Sequence, residues 1–176
     1  LPGAYRVIVQ VDGQSNQPEG NETNNTLASA PVTLTLPPLP DLVVDSITAP
    51  VESLSGQAVD VTWTLRNQGT GAANGAWNDQ IWLSRDSILG NINVDDSSDL
   101  LVGSFRFEGE IAAGSALTRT QTVTLSPTIS GNYFVIVRAD ASAEVYEHNN
   151  EGNNTTADDR LLLVVLQLLR RFTRFE

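Results

Sequence analysis

Oxygen-donor residues gather at three places in this chain. The stretch SRDSILGNINVDDSSD (Ser84–Asp99) collects Asp86, Asn91, Asn93, Asp95, Asp96 and Asp99. Carboxylate and amide oxygens at such short spacing suit a hard cation such as Ca2+. The spacing does not follow the EF-hand pattern of D-x-[DN]-x-[DN]-G with a late glutamate. Asn and Asp also fill turns, because they tolerate left-handed backbone and bond their own main chain. The loop is therefore read either as a Ca2+ site or as a turn. The other two places are EGNETNN (Glu19–Asn25) and EHNNEGNN (Glu147–Asn154). Here Glu19, Asn21, Glu22 and Asn24 recur as Glu147, Asn149, Glu151 and Asn153. A metal could recruit them, but the expected role is structural. Paired asparagines accept positive φ, and their amides cap backbone groups leaving a hairpin.

Other chemistry is excluded by composition. There is no cysteine, so disulfides, thiol catalysis and cysteine-built zinc sites are absent. Lysine is absent too, and all ten basic residues are arginine. The single histidine, His148, sits in a polar stretch, which leaves little basis for a Ser-His-Asp triad. Paired acids are abundant, but none sits in an apolar sequence context that would raise its pKa, so no enzyme activity is expected. A net charge of −11 opposes binding to nucleic acid and to anionic membranes. The apolar run between Arg160 and Arg171 is too short to span a bilayer, so no membrane insertion is expected. Trp77 and Trp82 fall on opposite faces of one strand and Trp63 on a core-facing alternation, which argues against a carbohydrate platform. Sequons at Asn21, Asn24, Asn153 and Asn154 are acceptors only where a glycosylating route exists. The opening residues LPGAYRVIVQ lack a basic signal-peptide region, and the chain reads as a segment of a longer protein.

The elements that would position these residues are strands. AVDVTWTLRN places Val59, Val61, Trp63 and Leu65 on one face and Asp60, Thr62, Thr64 and Arg66 on the other. Period-two runs over 41–47, 77–84, 100–107, 117–125, 132–140 and 160–166 complete seven short strands, separated by turn-rich clusters such as NQGTGAANG. An all-β, immunoglobulin-like antiparallel sandwich follows. Tyr133 stands where a tyrosine corner would return its hydroxyl to upstream backbone, and Tyr5 repeats the position.

The chain also contains a repeat, out of phase. GAYRVIVQVD (Gly3–Asp12) aligns without a gap with GNYFVIVRAD (Gly131–Asp140), and the likeness continues to VTLTL (Val32–Leu36) against LLLVV (Leu161–Val165). Residues 1–36 read as the closing hairpin of one repeat. Residues 37–40 read as a Pro-rich linker, 41–165 as a complete repeat, and 166–176 as a tail or the start of a further linker.

PDLVVDSITAP, VTWTLRNQGTGAANGAWNDQIWLSRD, DDSSDLLVG and GNYFVIVRADASAEVYEHNNEGNN together resemble the CARDB family over Pro40–Val165. The most specific elements are NQG, WLSRD and the closing E..NE.NN. CARDB domains are cell-adhesion-related, immunoglobulin-like repeats of bacterial and archaeal surface proteins. The resemblance implies tandem repeats, an extracellular or cell-surface location and no enzyme activity. The expected function is structural or adhesive; a calcium- or carbohydrate-binding accessory module of a larger secreted protein is the alternative. The hairpin of residues 1–36 would expose Tyr5, Val7, Val9, Val11, Val32, Leu34 and Leu36. Its expected partners are adjacent repeats or neighbouring copies, which would cover it by strand addition and so build a head-to-tail array or filament.

Overall fold

The computed structural model describes residues 1–21, 23–90 and 99–167. Every regular element among them is a β-strand. The chain divides into two compact units, Leu1–Pro37 and Pro38–Glu176.

Unit one is a hairpin in two short ladders. Strand β1 (Gly3–Tyr5) pairs with β4 (Val32–Leu34), and β2 (Ile8–Gln10) pairs with β3 (Thr26–Ala28). The expected pair of continuous strands is broken by an irregularity at residues 6–7, opposite 29–31. There the Ser29 hydroxyl accepts a bond from the Val7 amide.

Unit two is a sandwich of two sheets. The first holds β5 (Leu42–Thr48), β7 (Ala58–Asn67) and β10 (Ala116–Thr124), in the order β10-β7-β5. The second holds β6 (Glu52–Leu54), β8 (Ala73–Ser84), β9 (Leu100–Ile111), β11 (Gly131–Arg138) and β12 (Thr155–Val165), in the order β6-β12-β11-β8-β9. All seven expected strands are present. The additional β6 is only three residues long, too short to show alternation, and it pairs parallel with β12.

Alternation decides which side chains fill the core. Val59, Val61, Trp63 and Leu65 of β7 are buried, and so are Trp77, Ile81 and Leu83 of β8 and Tyr133, Val135 and Val137 of β11. On the solvent face of β7 and β10, Thr62 meets Thr120 and Thr64 meets Thr118 through hydroxyl contacts of 2.8 and 3.1 Å. The edge strand β9 carries Arg106, Glu108 and Glu110, charges that discourage further pairing.

Candidate functional site

The polar motifs of unit two converge on one feature, the entry of the linker into the sandwich. Asn67 ends β7, and its side chain is buried. Its Oδ1 accepts bonds from the Asp41 and Gly69 amides, and its Nδ2 donates to the Gly71 and Ile111 carbonyls. All four bonds an asparagine side chain commonly makes are therefore used, two of them local and two to distant segments. The NQGTG turn then holds the linker backbone. Thr70 and Gly71 donate to the Leu39 carbonyl at 3.0 and 2.9 Å, and Gln68 donates to the Asp41 carbonyl at 2.8 Å. Such close approach requires glycine. A Cβ on Gly69 would lie 2.6 Å from the Asp41 nitrogen, and one on Gly71 would lie 2.5 Å from the Pro38 oxygen.

The loop between β11 and β12 grips the linker from the other side. Asp140, at φ 41°, accepts the Glu144 and Val145 amides at 2.8 Å each and so sets the turn. Glu147 Oε1 accepts the Leu42 amide at 2.8 Å, and Glu151 Oε1 accepts the Glu147 amide at the same distance. Asn150 and Asn153 donate to the two oxygens of Asp41 at 2.7 and 2.8 Å. Two of the stretches singled out in the sequence, NQG and E..NE.NN, thus form one clasp around residues 39–42. Gly71→Ala is expected to force the linker off the turn at a cost of about 1–3 kcal/mol. Faster proteolysis at residues 38–42 with the sandwich core still protected is the readout.

Unit one builds the same turn. Asp12, at φ 42°, accepts the Asn16 and Gln17 amides, and Ser15 at φ 49° matches Ala143 at φ 51°. Asn21 Oδ1 accepts both the amide and the hydroxyl of Thr23. Glu22 lies outside the described residues.

The acidic loop is only partly in view. Asp86 Oδ1 accepts the Ile88 amide and Asp99 Oδ2 accepts the Gly90 amide, both at 2.7 Å. Asn91, Asn93, Asp95 and Asp96 lie outside the described residues. Among the described residues no three acidic or histidine side chains converge as metal ligands. Trp63 and Trp77 are buried and Trp82 is half-buried, so they form no shared stacking platform. Of the sequon asparagines, Asn154 is buried and the Asn153 amide is bound to Asp41.

Two features run against the sequence reading. Tyr5 does donate to the Leu1 carbonyl at 2.8 Å. The Tyr133 hydroxyl instead accepts from Arg85 Nη2 at 2.9 Å, and it is this arginine that reaches the upstream Ser130 carbonyl. The second feature is Glu147. No acid was expected to have a raised pKa, yet Glu147 is 1% exposed and burial pushes its carboxyl up to about 7. Neighbours in sequence are polar here, and the carboxyl is buried where it meets the Leu42 amide, 105 residues away in the chain.

A buried ion pair joins β8 to β10. Asp79 is fully buried and accepts from Arg119, from the Trp63 indole at 3.2 Å and from the Asp140 amide at 3.2 Å. The signal was present: Asp79 shares its parity with the inward-facing Trp77 and Ile81.

The family model for CARDB matches residues 39–158. The crystal structure of a CARDB domain from Pyrococcus furiosus, in complex with di-metal ions, resembles this fold with a TM-score of 0.52. It is 19% identical, over 76% of this chain and 100% of that one. The solution structure of the same Pyrococcus furiosus domain gives a TM-score of 0.49 at 19% identity, over 73% and 98%. A β-glucosidase from Listeria innocua in complex with isofagomine gives 0.45 at 15% identity, over 74% of this chain and 17% of that one. No curated protein matches the chain. At these identities the structural likeness is one of fold.

Proposed function

The chain belongs to the CARDB family, and from that premise we propose that it is a structural repeat of a surface- or adhesion-related protein outside the cell. CARDB is a non-catalytic domain family. On this reading the sandwich spaces its neighbours, and the hairpin of unit one docks on a neighbouring repeat of the same kind, building a head-to-tail row.

One observation carries the reading. Tyr5 pairs with Val32 and Tyr133 pairs with Leu162. Strand pairing therefore matches Val32 to Leu162, one residue beyond the Val32–Leu161 match of the aligned sequences, because the irregularity before β4 is one residue shorter. Tyr5, Val7, Val9, Val11, Val32 and Leu34 then correspond to Tyr133, Val135, Val137, Ala139, Leu162 and Val164. The first six are between 44% and 61% exposed, and none of the second six exceeds 3%. Each of these six exposed side chains thus has a counterpart inside a finished core. Leu36 corresponds to Leu166, which is itself exposed, so Leu36 falls outside the proposed face. An apolar two-stranded hairpin is marginal alone, and strands equivalent to β5 through β10 would complete it.

Sedimentation of the whole chain tests this. Concentration-dependent association is expected, and Val7→Asp with Val9→Asp is expected to abolish it while leaving the melting of unit two unchanged. A monomer whose Val7 and Val9 amides stay protected from exchange would count against the docking face.

A further inference from the structure

The edge of a β-sheet is a template for a further strand, and native proteins guard it with bulges, charges or short strands. Three of the four edges of unit two are guarded. In β5 the extra residue Asp45 interrupts the pairing with β7 and brings a charge. In β9 the extra residue Val102 interrupts the pairing with β8, and Arg106, Glu108 and Glu110 follow it. The edge strand β6 is three residues long. The fourth edge, β10, has none of these devices. It pairs with β7 over nine residues without a break and holds no proline and no acid. Its one charge, on Arg119, is turned inward to Asp79 and the Arg106 carbonyl.

The phase of the ladder fixes what the open edge presents. The Asn67 amide donates to the Ser115 carbonyl, and the Leu125 amide donates to the Gln57 carbonyl. Along an antiparallel ladder, residues that exchange bonds alternate with residues that do not. The odd-numbered residues of β10 therefore bond β7. Ala116, Thr118, Thr120, Thr122 and Thr124 turn both N–H and C=O away from it, and all five are exposed. Among the described residues no other backbone pairs with them.

We propose that this edge pairs with the β10 edge of a second copy, antiparallel about a two-fold axis at Thr120. Thr120 is the middle residue of the strand. On that axis Thr118 meets Thr122 of the second copy, Ala116 meets its Thr124, and each outward N–H finds a C=O. Charge selects this occupant. The chain has a net charge of −11, yet no acid lies between Glu110 and Asp140, so two copies can approach here without opposing carboxylates. Asp60, on the neighbouring β7, is bonded to the Thr122 hydroxyl. Antiparallel pairing sets Arg119 opposite Gln121 of the second copy, whereas parallel pairing in register would set arginine beside arginine. The threonines suit the contact as well. Thr62 meets Thr120 and Thr64 meets Thr118 across β7 and β10, and the second copy repeats such pairs one strand further. The contact joins two three-stranded sheets into one and does not involve the hairpin of unit one. Between head-to-tail rows it acts sideways, with many weak edges in concert.

A single edge of nine residues is a small contact, so pairing is expected at millimolar rather than micromolar protein. Amide spectra of the whole chain carrying Val7→Asp and Val9→Asp read it with the face of unit one disabled. The Thr118, Thr120 and Thr122 amide protons are expected to move downfield between micromolar and millimolar protein. Thr118→Lys with Thr122→Lys sets like charges opposite each other in this register. It is expected to remove the shift, even though it lowers the net negative charge that keeps copies apart. Thr118→Glu with Thr122→Lys sets opposite charges together and is expected to keep the shift. Edge amides that do not move with concentration would overturn the proposal. So would a two-lysine variant that shifts like its parent, or a folded Glu–Lys variant that no longer shifts. Circular dichroism confirms the fold of both variants.

Discussion

Asp79→Ala is expected to destabilise unit two by about 3–5 kcal/mol, the cost of breaking a buried ion pair from one side. Arg119 is nearly as buried as its partner, with 8% of its side chain exposed. It also donates to the Arg106 carbonyl, and its guanidinium lies 5.1 Å from the Trp63 ring centroid. Removing Asp79 leaves that charge without its partner in the core and also strands the Trp63 indole and the Asp140 amide. Burial raises the Asp79 pKa, and the Arg119 charge works against that rise. The pair therefore specifies how β8, β10 and the β11–β12 loop meet more than it adds net stability. The matching expectation is that Asp79→Leu combined with Arg119→Met costs much less than Asp79→Ala alone, because an apolar pair of similar volume needs no charge partner. Urea unfolding followed by tryptophan fluorescence reads both variants, since Trp63 and Trp77 are buried. A loss below about 1 kcal/mol for Asp79→Ala would mean that solvent already reaches the pair.

The second large effect is a loss of stability on raising the pH. Glu147 has its carboxyl raised from 4.5 to about 7 in the folded chain. The folded state then binds a proton more tightly than the unfolded state does. Its contribution is complete below the unfolded value of 4.5 and is lost as pH rises through about 7. A displacement of that size corresponds to about 3 kcal/mol. Asp79, Asp140 and Asp158 are also raised by burial and act with the same sign. Glu147→Gln separates their share, because the glutamine cannot ionise. Urea midpoints measured from mild acid to mild base should fall for wild type and change much less for the variant. Coincident wild-type and variant profiles would assign the effect to the aspartates.

Much of the architecture was legible before any coordinate. Alternation in AVDVTWTLRN and NYFVIVRAD settles which side chains face the core, because successive residues of a strand point to opposite faces. The strand β6 was not legible, since its three residues hold no period. The hairpin of unit one was recognisable by its likeness to residues 131–165. Its register was not, because a one-residue difference in a strand irregularity cannot be seen in aligned letters but moves every later side chain to the other face.

The clasp was legible only in pieces. NQG and E..NE.NN each stood out, and the composition of E..NE.NN pointed to capping rather than chemistry. What each stretch holds depends on topology. Asp41 meets Asn67 across 26 residues and Asn153 across 112, distances along the chain that no local pattern encodes. The same holds for Glu147. Its sequence neighbours are polar, and its carboxyl is buried where it meets the Leu42 amide, 105 residues away in the chain. Periodicity and repetition are local properties of a strand and survive in the letters. Burial and charge pairing arise when distant segments share one volume, so they were decided by the fold.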